Sequence, residues 1–401
     1  MDVQPPATSS LSLSVVLPCL NEEESLGRCL QELQETLSKS EIHSCEVIVA
    51  DNGSTDRSVE IALGLGARVV RVPERGYGHA LAAGIASAKS QYVAFMDADG
   101  TYPVEKIPEL FCKMVSDQAA LGLVSRLDGT IEKGAMPWAH RWIGTPILTR
   151  LINLLYGAKL TDCGTGLRCV RRDWFFEHPH HSGGMEFASE NLIRALKSGA
   201  RVVEVRGGLR QGPPGRQPHL QTWRDGMRHL MFILSERPAL FERSGLSVAL
   251  AASVLQIAAV WHGPWRLGIF DIFGLHTQIL ALLAALLSTQ VYFLGVLFYT
   301  QASDRPAMLT TKLINLPEDH LFFTLLGACC VGAGAALSVL LAWWGQHFSG
   351  LSTERWLLAG VHFIVLLGTF CLGLLGVRMA CLGGERRRLD QVLARKSTAL
   401  R

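Results

Sequence analysis

The sequence has no Cys-x-x-Cys pair and no cysteine or histidine run with ligand-like spacing, although 10 cysteines are scattered through its 401 residues. Neither a zinc site nor a disulfide framework is indicated, and reduced structural thiols are the default. The GxGxxG and GxxxxGK[ST] patterns are also missing, so the usual dinucleotide and NTPase fingerprints are absent. At the N-terminus, "MDVQPPATSS" lacks a basic region and "LSLSVVLP" is too short for the apolar core of a signal peptide. The first domain is therefore expected on the side of synthesis. The net charge of +3 decides nothing about a polyanionic partner, because distribution outweighs the total. No nucleic acid is among the expected partners.

That distribution is uneven. Charged residues thin out after Gly245, where four apolar runs follow: Gly245 to Trp261, Leu275 to Tyr299, Leu321 to Trp344 and Trp356 to Val377. A bilayer core needs about 20 apolar residues per helix, so the last three runs are long enough to span and the first is marginal. Trp and Tyr at the ends favour lipid over buried core helices. Basic residues flank the set, with Arg224, Arg228, Arg237 and Arg243 before it and Arg378, Arg386, Arg387, Arg388, Arg395 and Lys396 after it. An even number of spans returns both basic ends to the cytoplasmic face. The spans carry no ionisable group at mid-depth except His362, with His276 near an end, so a transporter's proton relay is not evident.

The first half reads differently. "SLSVVLP" (Ser12 to Pro18), "CEVIVAD" (Cys45 to Asp51), "ARVVRV" (Ala67 to Val72) and "QYVAFMD" (Gln91 to Asp97) are short β-branched runs separated by helix-like segments. Alternating strands and helices predict an α/β domain with a parallel sheet. In such sheets ligands collect at the carboxyl ends of the strands. Asn21, Glu22, Asp51, Asn52, Asp56, Gly76, Gly78, Asp97 and Asp99 all fall there. Singly, each has an ordinary explanation as a cap or turn residue; their convergence on one rim points to a site.

Asp97 and Asp99, in "MDADGTYP", place two like charges around one small residue. Such a pair suits Mg²⁺ or Mn²⁺, hard cations that prefer oxygen ligands and commonly bridge to phosphates. Both are therefore candidate metal ligands, while Thr101, a weaker hydroxyl donor, is left out of the set.

The ordered set "VVLPCLNEEESL", "ADNGSTDRS", "GYGHALAAGI" and "MDADGTYP" resembles the nucleotide-sugar-binding motifs of family two glycosyltransferases with the GT-A fold. "VSRLDG", "TDCGTGLRCVRRD" and "DGMRHLMFIL" followed by spans resemble the polyprenyl-phosphate branch, including dolichyl-phosphate mannose and glucose synthases. The resemblance implies a GT-A domain over 1–210, a linker with interfacial amphipathic helices over 211–244, four transmembrane helices over 245–381 and a basic cytoplasmic tail over 382–401. It implies that Pro18, Asn21, Glu22, Asp51 and Asp97 hold the nucleoside and ribose, with Asn52, Gly76 and Gly78 in the same nucleotide-sugar loops. Arg126 and Arg141 match positions that contact the lipid phosphate, and Arg168 is a further candidate, since a guanidinium grips phosphate bidentately. Asp97, Asp99 and Asp162 make up the catalytic region, with no proton transfer assigned to Asp162. Where related chains carry a small-residue and lysine motif, "GPPGRQPH" leaves Arg216 as the nearest basic substitute.

The implied activity is inverting transfer of a hexose from a UDP- or GDP-sugar to undecaprenyl or dolichyl phosphate. The implied protein is multi-pass, with its catalytic domain at the cytoplasmic face of a bacterial inner membrane or its equivalent, and related enzymes can be oligomers. Two other readings stand beside it. A processive polysaccharide synthase shares the nucleotide loops, but its QxxRW motif is missing; a flippase with a regulatory transferase-like domain would use the spans themselves.

Overall fold

In the computed structural model, residues 12–42, 44–213, 222–263, 265–267, 270–299, 306–345 and 354–399 are described. They divide between two compact units, with the boundary between Ile233 and Leu234.

Four strands of the first unit are those the sequence predicts, to within two residues at each end: β1 (Leu13–Cys19), β2 (Cys45–Asp51), β3 (Arg68–Arg71) and β4 (Tyr92–Phe95). Helices α1 (Leu26–Ser38), α2 (Ser58–Gly64) and α3 (Tyr77–Ser87) connect them, and α4 (Lys106–Ser116) leads to β5 (Leu121–Ile131). Beyond come α5 (Thr145–Tyr156), β6 (Arg168–Arg171), α6 (Arg172–Glu177), α7 (Phe187–Lys197), β7 (Val202–Leu209) and α8 (Thr222–Ser235). The sheet runs β3-β2-β1-β4-β6-β5-β7. Its first four strands are mutually parallel, β6 is antiparallel to both neighbours, and β5 and β7 pair in parallel. A mostly parallel mixed sheet results.

Both faces are covered, which explains why the strands read as near-continuous apolar runs. Val15 and Leu17 of β1 point into a core with Leu30, Leu33 and Leu110. Val16, between them, points into the opposite core with Leu81 and Ile85. The side-chain period of two thus turns one strand into the wall of two layers.

The second unit is helical, with α9 (Pro238–His262), a short hairpin of β8 (Trp265–Leu267) and β9 (Phe270–Ile272), α10 (Leu275–Phe298), α11 (Met308–Ile314), α12 (Glu318–Gly345) and α13 (Glu354–Ala399). Among the described residues three helices are long and apolar enough to cross a membrane: Pro238–His262, Leu275–Phe298 and Trp356–Ala380. The marginal first run gains length because its helix begins at Pro238 rather than Gly245. Of the four spans expected from sequence, three meet this measure among the described residues. Within α12 the described apolar stretch, Asp319–Gly334, is shorter than a span.

Glu242, assigned from sequence to the linker, is a buried carboxylate near the start of α9. It accepts hydrogen bonds from Tyr299 Oη at 2.6 Å, from the Ala307 amide at 3.3 Å and from Thr310 Oγ1. Those donors make its burial tolerable and tie the entry to α11 back to α9.

Candidate active site

The strand ends are stitched to one another before any ligand is considered. Asn21 sits in the left-handed region at φ 53°, which an Asn tolerates better than a bulkier residue. Its amide donates to Ser54 Oγ at 3.0 Å, and its Oδ1 accepts from the Thr55 amide at 2.8 Å. Glu22 is buried, with its amide donating to Ser58 Oγ at 2.9 Å. Asp51 accepts from the Ser54 amide at 2.9 Å. The β1 and β2 loops are therefore one rigid rim. Pro18 is half-buried beside it, opposite Ala50. A cavity of about 540 Å³ opens at this rim, lined by Asp51, Gly53, Ser54, Thr55, Asp56 and Pro73 among others. Its size suits a small ligand.

Asn52 carries the rim to the next loop. Its side-chain amide donates to Glu74 O at 2.7 Å, and its Oδ1 accepts from the Gly76 amide at 2.7 Å. Gly76 has φ 140°, and a β-carbon there would collide with the Gly183 carbonyl; one on Gly78 would collide with the Ser182 carbonyl. Both glycines thus admit the 182–183 backbone against α3, where the Gly78 amide donates to Gly183 O at 2.9 Å. Glu190 holds the other side of that loop, accepting from the His181 and Ser182 amides at 2.9 and 2.7 Å.

Between the two glycines, Tyr77 donates its hydroxyl to Asp97 Oδ1 at 2.9 Å. Burial, and then the Asp97 charge, hold the Tyr77 phenol well above its usual range, so it stays a donor. Asp99 accepts from both the amide and the hydroxyl of Thr101, at 3.0 and 2.6 Å. The Thr101 hydroxyl is thereby committed to orienting Asp99. Among the described residues no group of three or more His, Cys, Asp or Glu side chains could hold a metal ion. An all-protein cage is thus absent there, whereas two hard carboxylates at a strand end fit Mg²⁺ or Mn²⁺, ions that keep waters and take phosphate oxygens to complete their shell.

Arg126 and Asp162 form the second half. Pairing of β5 with β7 lapses between Ser125 and Thr130, and Arg126 lies in that irregularity. Its amide, Nε and Nη2 all donate to the fully buried Asp162 carboxylate, at 3.0, 2.7 and 2.9 Å. Burial pushes the Asp162 carboxyl upward most, but the charge and hydrogen bonds of Arg126 outweigh it and leave Asp162 below the usual range. Asp162 is thus a charged positioning group for Arg126, whose Nη1 edge has no partner among the described residues. Glu204 braces the turn from β7 by accepting from the Thr161 and Asp162 amides at 3.0 and 3.1 Å.

The loop after Asp162 joins the halves. A β-carbon on Gly164 would lie 3.0 Å from Arg126 Nη2, and one on Gly166 would lie 2.9 Å from Asp97 Oδ2. The Gly166 amide also donates to Tyr102 Oη at 2.7 Å. The loop's contacts with the arginine and with the carboxylate therefore lie two positions apart.

Arg168 is a correction. Its side chain is fully buried, and Nε, Nη1 and Nη2 donate to the carbonyls of Thr165, Ala188 and Cys163 at 2.8, 2.6 and 2.8 Å. It ties β6 to α7 and has no edge to offer a phosphate. Arg141 is half-exposed, with its guanidinium carbon 5.2 Å from the Trp142 ring centroid. Arg216 lies outside the described residues.

Residues 14–178 match the family model described as glycosyl transferase family 2. Low-salt glycan biosynthesis hexosyltransferase Agl6 from Haloferax volcanii is 33% identical over 91% of this chain and 89% of its own length. The chain belongs to glycosyl transferase family 2. This family 2 glycosyltransferase is also 34% identical to a dolichyl-phosphate hexose transferase from the same organism, over 48% of this chain and 80% of that one. Among solved structures, glucosyl-3-phosphoglycerate synthase from Mycobacterium tuberculosis, in complex with Mn²⁺, UDP and glucosyl-3-phosphoglycerate, overlaps 58% of this chain and 81% of that chain, at 22% identity and a TM-score of 0.47.

Sequence reading passed over Tyr77, Tyr102, Glu190 and Glu204 of this glycosyltransferase. Tyr77 and Tyr102 lie inside motifs already singled out, and a tyrosine flanked by two glycines was a usable signal. Nothing in the sequence ties Glu204 to Asp162, 42 residues away.

Proposed function

We propose that this glycosyltransferase moves a single hexose, with inversion, from a UDP- or GDP-sugar to a polyprenyl phosphate such as undecaprenyl or dolichyl phosphate, at the cytoplasmic face of a membrane. The observation that carries the reading is the Asp162–Gly166 loop, which lies against Arg126 at Gly164 and against Asp97 at Gly166. An enzyme joining a diphosphate donor to a phosphate acceptor needs that juxtaposition. The dolichyl-phosphate hexose transferase among its relatives, and the three span-length helices, support the lipid as acceptor.

In this reading the β1 and β2 loops hold the nucleoside over Asp51, and Asp97 and Asp99 would hold Mg²⁺ or Mn²⁺. A divalent cation bound there supplies neutralisation of charge on the departing diphosphate. Tyr77 keeps Asp97 oriented, and Thr101 does the same for Asp99. Arg126, held by Asp162, orients the lipid phosphate through its outer edge. The acceptor oxygen is already anionic near neutral pH, so no general base is required, and an ionised Asp162 surrounded by donors is suited to holding Arg126 rather than taking a proton. Residues 321–344 make the fourth span, an even count that returns both basic flanks to the catalytic side. The acceptor lipid enters along that side.

The test is a product assay with purified full-length protein, Mg²⁺ or Mn²⁺, a panel of labelled UDP- and GDP-hexoses, and a short polyprenyl phosphate. The expected product is organic-soluble, acid-labile and carries one sugar. A ladder of products would indicate a processive synthase, and no transfer from any donor would contradict the reading.

A further inference from the structure

The motif "DGMRHLMFIL" (Asp225 to Leu234) falls on α8, and the reaction as described gives it no part. One face of that helix is inward. Asp225, His229 and Ile233 follow one another at steps of four, which stacks them on a single side. Ile233 is fully buried in one core with Ile152 and Leu192, and its carbonyl accepts from Tyr156 Oη at 3.4 Å. Asp225 is buried at the other end of the stripe. His229, half-buried between them, is turned towards α7 by the same packing.

The ring meets Ser189 there, with Nδ1 and Oγ 2.8 Å apart. Ser189 is buried, and among the described residues its hydroxyl has no other acceptor. Its proton therefore goes to Nδ1, and a neutral imidazole that accepts at Nδ1 carries its own proton on Nε2. Burial, and then the charge of Arg168, hold the imidazole below its usual range, which keeps it neutral. Arg168, Glu186, Asp225 and Arg126 are the charged groups whose fields reach it. Nε2 has no hydrogen-bond partner among the described residues. The result is a neutral N–H donor held in a fixed tautomer.

Its surroundings lead to the acceptor side of the site. Ser189 follows Ala188, whose carbonyl accepts from Arg168 Nη1 at 2.6 Å, and Arg168 Nη2 reaches Cys163 O at 2.8 Å. Cys163 adjoins Asp162, which engages Arg126 through Nε and Nη2. Arg126 thus meets a phosphate with its remaining Nη1 edge, about which the phosphate is free to turn. A second donor from another element settles which oxygen faces the sugar, and such orientation is worth a large share of a two-substrate reaction.

We infer that His229 Nε2–H donates a hydrogen bond to the acceptor phosphate beside the Nη1 edge of Arg126, with Ser189 as the positioning residue that fixes the ring's tautomer. The inference rests on the polyprenyl-phosphate reading above. A phosphate offers acceptors alone, so a group that can only donate matches it whatever the rotation of its oxygens.

The test measures steady-state transfer by the full-length chain in detergent, with Mn²⁺, a short polyprenyl phosphate and whichever UDP- or GDP-hexose the native chain uses. His229→Ala should raise the KM for polyprenyl phosphate about tenfold or more, the loss expected of one hydrogen bond to a charged group. The KM for the nucleotide sugar should stay within twofold of native, a split that general loosening of the fold would not produce. His229→Gln keeps an N–H donor near the Nε2 position and should bring the acceptor KM back to within threefold of native. Ser189→Ala leaves the ring in place but frees its tautomer, and should raise the acceptor KM by about two- to tenfold, the range for a neutral hydrogen bond. If His229→Ala does not fold, Ser189→Ala decides alone. An acceptor KM unchanged in the folded variants, or equal rises in both KM values, would make the pair a structural clasp and overturn the inference. Absence of transfer by the native chain would sink the polyprenyl-phosphate reading and this inference with it, whereas an active native chain with unaffected variants sinks this inference alone.

Discussion

Asp99→Asn is expected to lower turnover by about 10²- to 10³-fold, the loss typical of removing one preorganised group that stabilises developing charge. The substitution is chosen for what it keeps. An asparagine Oδ1 can still accept from the Thr101 amide and hydroxyl, which now hold the carboxylate at 3.0 and 2.6 Å. The loop is therefore expected to keep its shape and the protein its unfolding midpoint. Only the negative charge is lost, and with it one ligand for a hard cation. Steady-state rates at saturating donor, measured against Mn²⁺ concentration, check this: the variant should need more metal and still fall short. Turnover within threefold of native would remove Asp99 from the metal set.

Asp162→Ala is expected to be costly in another currency, stability. It strips the fully buried carboxylate from a guanidinium that is itself 15% exposed. Breaking a buried pair from one side costs about 3–5 kcal/mol, here towards the lower figure because Arg126 is partly exposed. For a domain of this size that lowers the midpoint by on the order of 10 °C. The pH dependence has a definite sign. Asp162 has its carboxyl held below the usual range in the folded protein, because Arg126 outweighs the upward push of burial. Its stabilisation is complete above an ordinary carboxyl value of about 3.9 and is lost as pH falls through the lower folded value. The native chain and the variant should therefore differ by a constant amount from neutral pH down to mild acid and converge only below. A double variant, Arg126→Leu with Asp162→Leu, should regain much of the stability, since apolar replacement of a buried pair is often neutral. It should not regain transfer to polyprenyl phosphate. Recovery of both would mean that the pair is structural only.

The first four strands and the rim of polar residues at their ends were legible from sequence because parallel strands buried on both faces leave continuous β-branched runs, and strand-end loops concentrate polar residues. Local signals carried that far. Arg168 shows where they stop: next to Gly166 and Leu167 it looks like a spare cation, but the carbonyls of Thr165 and Cys163 in the preceding loop and of Ala188 on α7 consume it. Gly76 and Gly78 were legible as special positions, but the reason lies with Gly183, more than 100 residues away, and sequence spacing cannot show it. Asp162 was placed in the catalytic region, yet its bond to Arg126 depends on a lapse in the pairing of β5 with β7, a feature without a local sequence mark. The helical unit was readable by length and hydropathy, while Glu242 escaped notice because its partners come from the far end of α10 and the start of α11.

The central claim is that two carboxylates at the end of β4 grip a nucleoside diphosphate through a divalent cation. Calorimetric titration of UDP and of GDP into the purified full-length protein, with Mn²⁺ and with EDTA, tests it most directly. One of the two nucleotides should bind at least tenfold more tightly with Mn²⁺, and Asp99→Asn should lose that gain. Equal affinity in EDTA, or a metal-dependent gain that survives the substitution, would contradict it.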